Sequence, residues 1–548
     1  MIFSTTFNIL ILSTIIGFSY ILKYFINSKN VNIYNRDILY GLFFILFLSL
    51  LINFIFPLKY FLFLFIVIGT TSFLFCIYKK KLKINLFIHF LIIFFMAFIT
   101  YRHGDNIDSP MYHMQIIKWL SIEKVVFGLS NLELRFGINS LWFSFLSLFQ
   151  FQFNEFNSIY ILNFLPFSIL FYEALEIKKK NFSYIFLTLS ISFLIFFSYL
   201  HPFANGIILN HLRNPEIDTV AMVFFIYCFY LFLKFQEEKN IDNFRLIVLS
   251  AIICFYTKIS YMAVLVFPIL VIIMHYRMDL KKILINKLNL IILSSGIFWL
   301  LKSFINSGCL VFPVKLTCFN TSWSPDVNRI DKYSKIVKSF ARDTRERLRY
   351  TEFDHTIYSF DWFVPWFNDY AVNTAMLKIS ALIIIISMFL FVFSYFLKLN
   401  QNIDIDKIKK YLLCLLALFL NLTVWFQAPE IRFGWGTIIA SACFFLSILL
   451  FHNKYFEHLS IKGIKFLTIL IFGLILYDNQ QNLKIEKIIT PYGKKFSYSK
   501  ITKFANYNGF DFYFSNNWMC YDFKQICVNS IEDKYNPKRI NGYLLFLR

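Results

Sequence analysis

Long apolar blocks separated by short polar stretches fill the chain from residue 6 to residue 477. A helix rises about 1.5 Å per residue, so a block of about 20 residues crosses the roughly 30 Å of hydrocarbon in a bilayer. The pattern predicts spans near 6–26, 39–57, 60–78, 84–101, 157–175, 182–200, 217–235, 245–257, 260–275, 288–305, 376–397, 411–427, 433–451 and 464–477. Residues 6–26 carry no small-residue cleavage site and read as a retained first span. The stretch "INSLWFSFLSLFQF" within 138–152 is too short to cross and is flanked by polar residues, which predicts a re-entrant or interfacial helix enclosed by protein.

The expected fold class is therefore all-α and polytopic, with about fourteen transmembrane helices, exterior re-entrant or interfacial helices, one large exterior loop and a small exterior C-terminal domain. Its segments are N-terminal helices over 1–101, a first exterior loop over 102–156, central helices over 157–305, an exterior loop over 306–375, C-terminal helices over 376–477 and an exterior domain over 478–548.

Composition agrees with a membrane protein, at 58% hydrophobic and 16% charged residues. The net charge of +22 resides largely in short loops such as "KKKLK" at 79–83 and "KKK" at 178–180. Positive-inside orientation explains that placement without a nucleic-acid partner. It also puts the intervening loops on the exterior face and requires residues 245–275 to be a hairpin turning at "TKIS", Thr257 to Ser260. Cys309, Cys318, Cys520 and Cys527 fall in the exterior segments, where an oxidising compartment favours pairing within 309/318 and within 520/527. The chain holds no P-loop and no strand-linked GxGxxG, so no nucleotide cofactor is expected; a divalent metal is left open.

Candidate chemistry lies in the polar interruptions. In "DNIDSPMYHMQIIKWL" Ser109 is a good N-cap and Pro110 suits the first helical position. Asp108 then precedes the cap and His113 is the fourth helical residue, two positions that commonly touch. A helix start and an imidazolium both favour the ionised acid, which suits Asp108 to act as a general base oriented by His113; helix capping explains the same residues, and Asp105 is a rival acid. In "HLRNPEIDTV" Glu216 and Asp218 stand at the mouth of a span, as functional acids or as capping residues. Lys258 in the "TKIS" turn can meet a lipid phosphate or snorkel to headgroups. "WFQAPEIRFGWG" carries Glu430 and Arg432 between aromatics, as a phosphate clamp or as an ion pair in an aromatic belt. Arg135 in "NLELRFGINS" completes a pyrophosphate site or rims the re-entrant helix.

The stretches "DSPMYHMQIIKWL", "VVFGLSNLELRFGINSLWF", "APEIRFGWG" and "CYDFKQIC" resemble a family of bacterial membrane proteins associated with surface-polysaccharide biosynthesis, over most of the chain. More broadly, an acid in the first exterior loop, a second at "NPEID" and an exterior Lys after paired helices look like the C-type glycosyltransferase superfamily. The resemblance implies a polyprenyl-phosphate-linked sugar donor and a glycan or lipid acceptor, with Asp108, Asp218 and Lys258 at the positions matching the superfamily's two acids and its phosphate-facing base. The chain departs from that pattern at Glu430, where Asp is expected, and in three additional N-terminal spans. Two rivals stay open: a glycan polymerase using the same residues, and a lipid-linked sugar transporter, which calls for internal repeats and mid-membrane polar groups.

Overall fold

The computed structural model describes residues 1–26, 31–100, 106, 108–153, 156–176, 181–199, 211–275, 286–342, 358–369, 373–396, 405–452, 473, 501–507, 509–515, 519–521, 523, 526–528 and 536–547. Helix follows the apolar blocks. In chain order the principal helices are α1 (Ile2–Phe25), α2 (Ile38–Ile55), α3 (Leu62–Tyr78), α4 (Leu86–Ile99), α5 (Met114–Ile122), α6 (Leu141–Leu148), α7 (Phe164–Leu175), α8 (Phe182–Tyr199) and α9 (Asp218–Glu238). They continue as α10 (Ile241–Thr257), α11 (Val266–His275), α12 (Lys287–Ser307), α13 (Val327–Arg342), α14 (Phe363–Asp369), α15 (Asn373–Phe396), α16 (Ile405–Trp425) and α17 (Ile431–His452).

Among the described residues eight helical stretches are long and apolar enough to cross a membrane, and shorter apolar helices cover Leu86–Phe98, Phe164–Leu175, Phe182–Phe197 and Ile259–His275. The expectation of about fourteen spans is therefore met only in part. The block at 157–175 begins with a three-residue helical turn, Ser158–Tyr160, so that only its second half enters α7. The predicted span at 464–477 falls outside the described residues, Gly473 apart.

α9 is the axis of the bundle: every residue from Asp218 to Gln236 is buried. Phe229 packs against Phe186 of α8, Phe267 of α11 and Phe444 of α17, with ring centroids 5.1–5.7 Å apart. Apolar side chains on the outer helices face outward instead, Phe63 at 71% and Leu293 at 63% exposure, as expected of surfaces that lie against lipid. α10 and α11 form the expected hairpin. The chain turns at Lys258, which is extended, and a short 3₁₀ segment, Ile259–Leu265, leads back until His275 meets Phe235 at the far end of α9, 5.3 Å between rings.

α6 is eight residues long and wholly buried, which fits a non-spanning helix enclosed by protein. The C-terminal region contains strands, which an all-α expectation omitted. After a two-residue pairing of β1 (Gln152–Phe153) with β2 (Phe156–Asn157) early in the chain, β3 (Ile501–Tyr507) pairs antiparallel with β4 (Phe510–Ser515), β5 (Ile526–Val528) adds in parallel, and β6 (Asn536–Ile540) with β7 (Tyr543–Leu547) makes a separate hairpin. Alternating burial along "YLLFL" is the two-residue period of a half-buried strand, a signal outweighed by the long apolar blocks before it. Both expected disulfides are present, Cys309–Cys318 and Cys520–Cys527, while Cys76, Cys228, Cys254, Cys414 and Cys443 are free and buried.

Close helix packing in the N-terminal bundle rests on glycine. A Cβ on Gly17 would lie 1.8 Å from the Gly69 carbonyl oxygen, whereas one on Gly296 would meet only the Tyr256 hydroxyl, at 3.6 Å. Gly17→Ala should therefore destabilise the detergent-solubilised protein by about 1–3 kcal/mol, while Gly296→Ala stays within about 0.5 kcal/mol of the parent or improves on it. Denaturant titration of the two variants measures the difference, and equal stabilities would exclude the α1–α3 contact.

Candidate functional site

Asp108 precedes a five-residue π-type turn, Ser109–His113, that runs into α5. The turn closes through a bond from the Met114 N–H to the Ser109 carbonyl, and turns of this kind recur at functional sites. Asp108 thus holds the N-cap position, with helical backbone angles and no capping bond from its side chain. Ser109 does not cap the helix; its hydroxyl donates instead to Glu216 Oε1 at 3.1 Å.

The Asp108 carboxylate contacts Arg432, from the first turn of α17. The same guanidinium lies 4.0 Å from Asp218 Oδ2 and 3.7 Å from Glu430 Oε1. Asp218, the first residue of α9, in turn contacts the Lys258 ammonium, which sits 3.9 Å above the centre of the Phe433 ring. Residues from four separated stretches of sequence thus meet in one cluster, because the start of α9, the end of α10 and the start of α17 lie together at one end of the bundle.

Local structure sets each member. Asn163 is fully buried; its amide donates to the Asn214 and Glu216 carbonyls at 2.7 and 2.8 Å, and its oxygen accepts from the Trp142 indole of α6 at 2.7 Å. That clamp shapes the "NPEID" stretch. The Tyr261 hydroxyl accepts from the Gly436 N–H at 3.1 Å and ties the Lys258 turn to α17. The Trp425 indole donates to the Glu430 carbonyl at 2.9 Å, across the space left by Gly434, where a Cβ would press on the same ring.

His113 faces Glu216 Oε1 at 3.6 Å, and His211 faces Glu216 Oε2 at the same distance. The expected orienting role of His113 toward Asp108 is thus replaced by a contact with a different acid. Burial pushes the His113 imidazole below its ordinary value, against the pull of Glu216 and Asp108. Burial would raise the Asp108 carboxyl, but the Arg432 guanidinium outweighs it and holds the acid below the usual carboxylate range. Arginine, rather than the helix start or an imidazolium, is thus the main influence that favours the ionised form of Asp108.

Arg135 stands apart. Its guanidinium donates to Glu133 at 2.8 Å and lies over the Tyr112 ring at 5.0 Å. Asp105 lies outside the described residues. His211, Glu216 and Asp218 present donor atoms within 4.8 Å of one another and are the described residues best arranged to hold a divalent cation. Sequence reasoning missed His211 and Asn163; the histidine five residues before Glu216 was a readable signal, whereas Asn163 in "ILNFLPF" offered none.

The chain belongs to the family described as a domain of unknown function (DUF8201), whose model matches residues 1–439. No curated protein and no solved structure matches it.

The match spans the whole ion-pair cluster. Because Asp108 and Arg432 are in contact, Asp108→Asn and Arg432→Gln should not add. A double-mutant cycle on unfolding free energy is expected to return a coupling of about 0.5–3 kcal/mol, and additive losses would separate the pair.

Proposed function

We propose that this family member is a membrane glycosyltransferase that takes sugar from a polyprenyl-phosphate-linked donor and acts on the exterior face of a bacterial inner membrane, in surface glycan assembly. The observation that carries the reading is the convergence of Asp108, Asp218, Lys258 and Arg432 at the mouth of the helix bundle, where a lipid headgroup arrives. Ionisable groups that face the interior of a helix bundle in a membrane are candidates for substrate pathways.

Asp108 is the base in this reading. It accepts the proton of an acceptor hydroxyl as that oxygen attacks the anomeric carbon; the bond from that carbon to the phosphate oxygen breaks, and its electron pair leaves with the phosphate. Arg432 and Lys258 then hold the growing negative charge. Arg432 touches Asp108 through Nη1 alone, which leaves other guanidinium N–H groups for phosphate oxygens. Phe433, stacked beneath both cations, limits their hydration. Glu216, Glu430 and Arg135 line the surroundings in this scheme, and bulk lipid and a glycan or lipid acceptor complete the partners.

Asp108→Asn should lower transfer by about 10²–10⁴-fold while the protein still inserts and expresses. Lys258→Met should chiefly raise the KM for the lipid donor, because a phosphate-binding charge is lost. Proteoliposomes supplied with a polyprenyl-phosphate sugar give both measurements. Full turnover by Asp108→Asn, or redistribution of the lipid-linked sugar with no bond cleavage, would refute the reading.

A further inference from the structure

Tyr521 and Phe523, which lie between Cys520 and Cys527, pack on the turn that bears Asp108 and on the helix that follows it. The Tyr521 N–H donates to the Pro110 carbonyl at 2.8 Å, two residues from Asp108. Gln115, 1% exposed, returns its amide to the Tyr521 carbonyl at 2.9 Å, and Lys118 donates to the Phe523 carbonyl. Tyr521 has φ +49°, a left-handed conformation that a residue with a Cβ adopts at a cost. That conformation directs both of its backbone groups at the same helix start, and the Cys520–Cys527 bridge closes the loop around it. Beyond the end of α5 the chain pairs with the β6–β7 hairpin: the Phe127 N–H donates to the Leu544 carbonyl at 3.0 Å and the Phe546 N–H to the Phe127 carbonyl at 2.9 Å.

We propose that the disulfide-closed loop Cys520–Cys527 is a positioning element of the Asp108 site: by gripping Pro110 and Gln115 it fixes the start of α5 so that the Asp108 carboxylate meets Arg432. The site is then assembled fully only after the bridge has formed, which links its competence to arrival of the C-terminal unit in an oxidising compartment. Tyr521 and Gln115 are positioning residues; neither touches the reacting atoms. The consequence for catalysis rests on the glycosyl-transfer reading, but the positioning itself does not.

Amide hydrogen exchange on the full chain in detergent tests it. In Cys520→Ser/Cys527→Ser, amides of residues 109–118 should exchange at least tenfold faster than in the parent, with α9 unchanged as the control for global folding. Gln115→Met keeps the side-chain volume, removes the donor and should give the same local result; mild reduction of the folded parent provides a third route if either variant fails to fold. In the transfer assay the variants should lose at least tenfold in kcat with the donor KM within twofold of the parent, whereas loss of packing at the lipid-phosphate cations would move KM. Unchanged exchange across 109–118 in the variants and in the reduced parent overturns the proposal, as does faster exchange with unaltered kcat. If the parent transfers no sugar from any polyprenyl-phosphate donor, the functional reading fails, and the exchange comparison still decides the positioning.

Discussion

A guanidinium surrounded by carboxylates organises one end of this molecule. Arg432 touches Asp108 and lies within 4.0 Å of Asp218 and Glu430, and Lys258 neutralises the other side of Asp218. Ionised groups at a low-dielectric bundle end are tolerated only when paired, and removing one partner leaves a charge that the surroundings cannot solvate. Each acid and cation therefore constrains the helix that carries the next. The positions of α5, α9, α10 and α17 at this end are mutually determined by electrostatics, while farther along the same helices are held by aromatic packing such as the contacts around Phe229.

Glu216 is a different kind of anchor. It is fully buried, accepts from Ser109 and lies between two imidazoles, so its partners among the described residues are a hydroxyl and two histidines rather than a lysine or arginine. Its backbone is fixed by Asn163, which is fixed in turn by Trp142 on the non-spanning helix α6. A helix too short to cross the membrane thereby shapes a loop that precedes a spanning helix. This gives the buried α6 a physical reason beyond filling space: it presents an indole N–H at a depth where a loop amide needs a partner.

The apolar periodicity disclosed the helices well, because any long apolar block has few other ways to satisfy its backbone in a bilayer. It disclosed less of what happens between them. The hairpin at Lys258 and both cysteine pairs were legible, the first from charge placement on alternate loops and the second from the clustering of cysteines outside the apolar blocks. The partner of His113 was not: helix spacing pointed to Asp108, but a π-type turn redirected the side chains, and Glu216 lies over a hundred residues downstream. Local sequence carries propensity and period, whereas a pair such as Asp108 with Arg432 is set by which helix ends meet. The C-terminal strands were hidden for a related reason, since a composition dominated by long apolar blocks favours helix wherever alternation is brief.

The family match ends at residue 439, but the helix that carries Asp108 does not end its contacts there. Tyr521 reaches Pro110, and the β6–β7 hairpin adds to the chain at Phe127 as an extra strand would. Gly128 makes that approach feasible: its φ of +70° is readily open to glycine, and a Cβ there would lie 2.6 Å from the Phe546 carbonyl oxygen. A backbone seat shaped within the matched region for a strand from beyond it means that the two have a common architecture. The start of α5 meets both charges arising in the bundle and the backbone of Tyr521, and the β6–β7 hairpin fixes the chain beyond its other end at Phe127, so neither region alone sets where its acid lies.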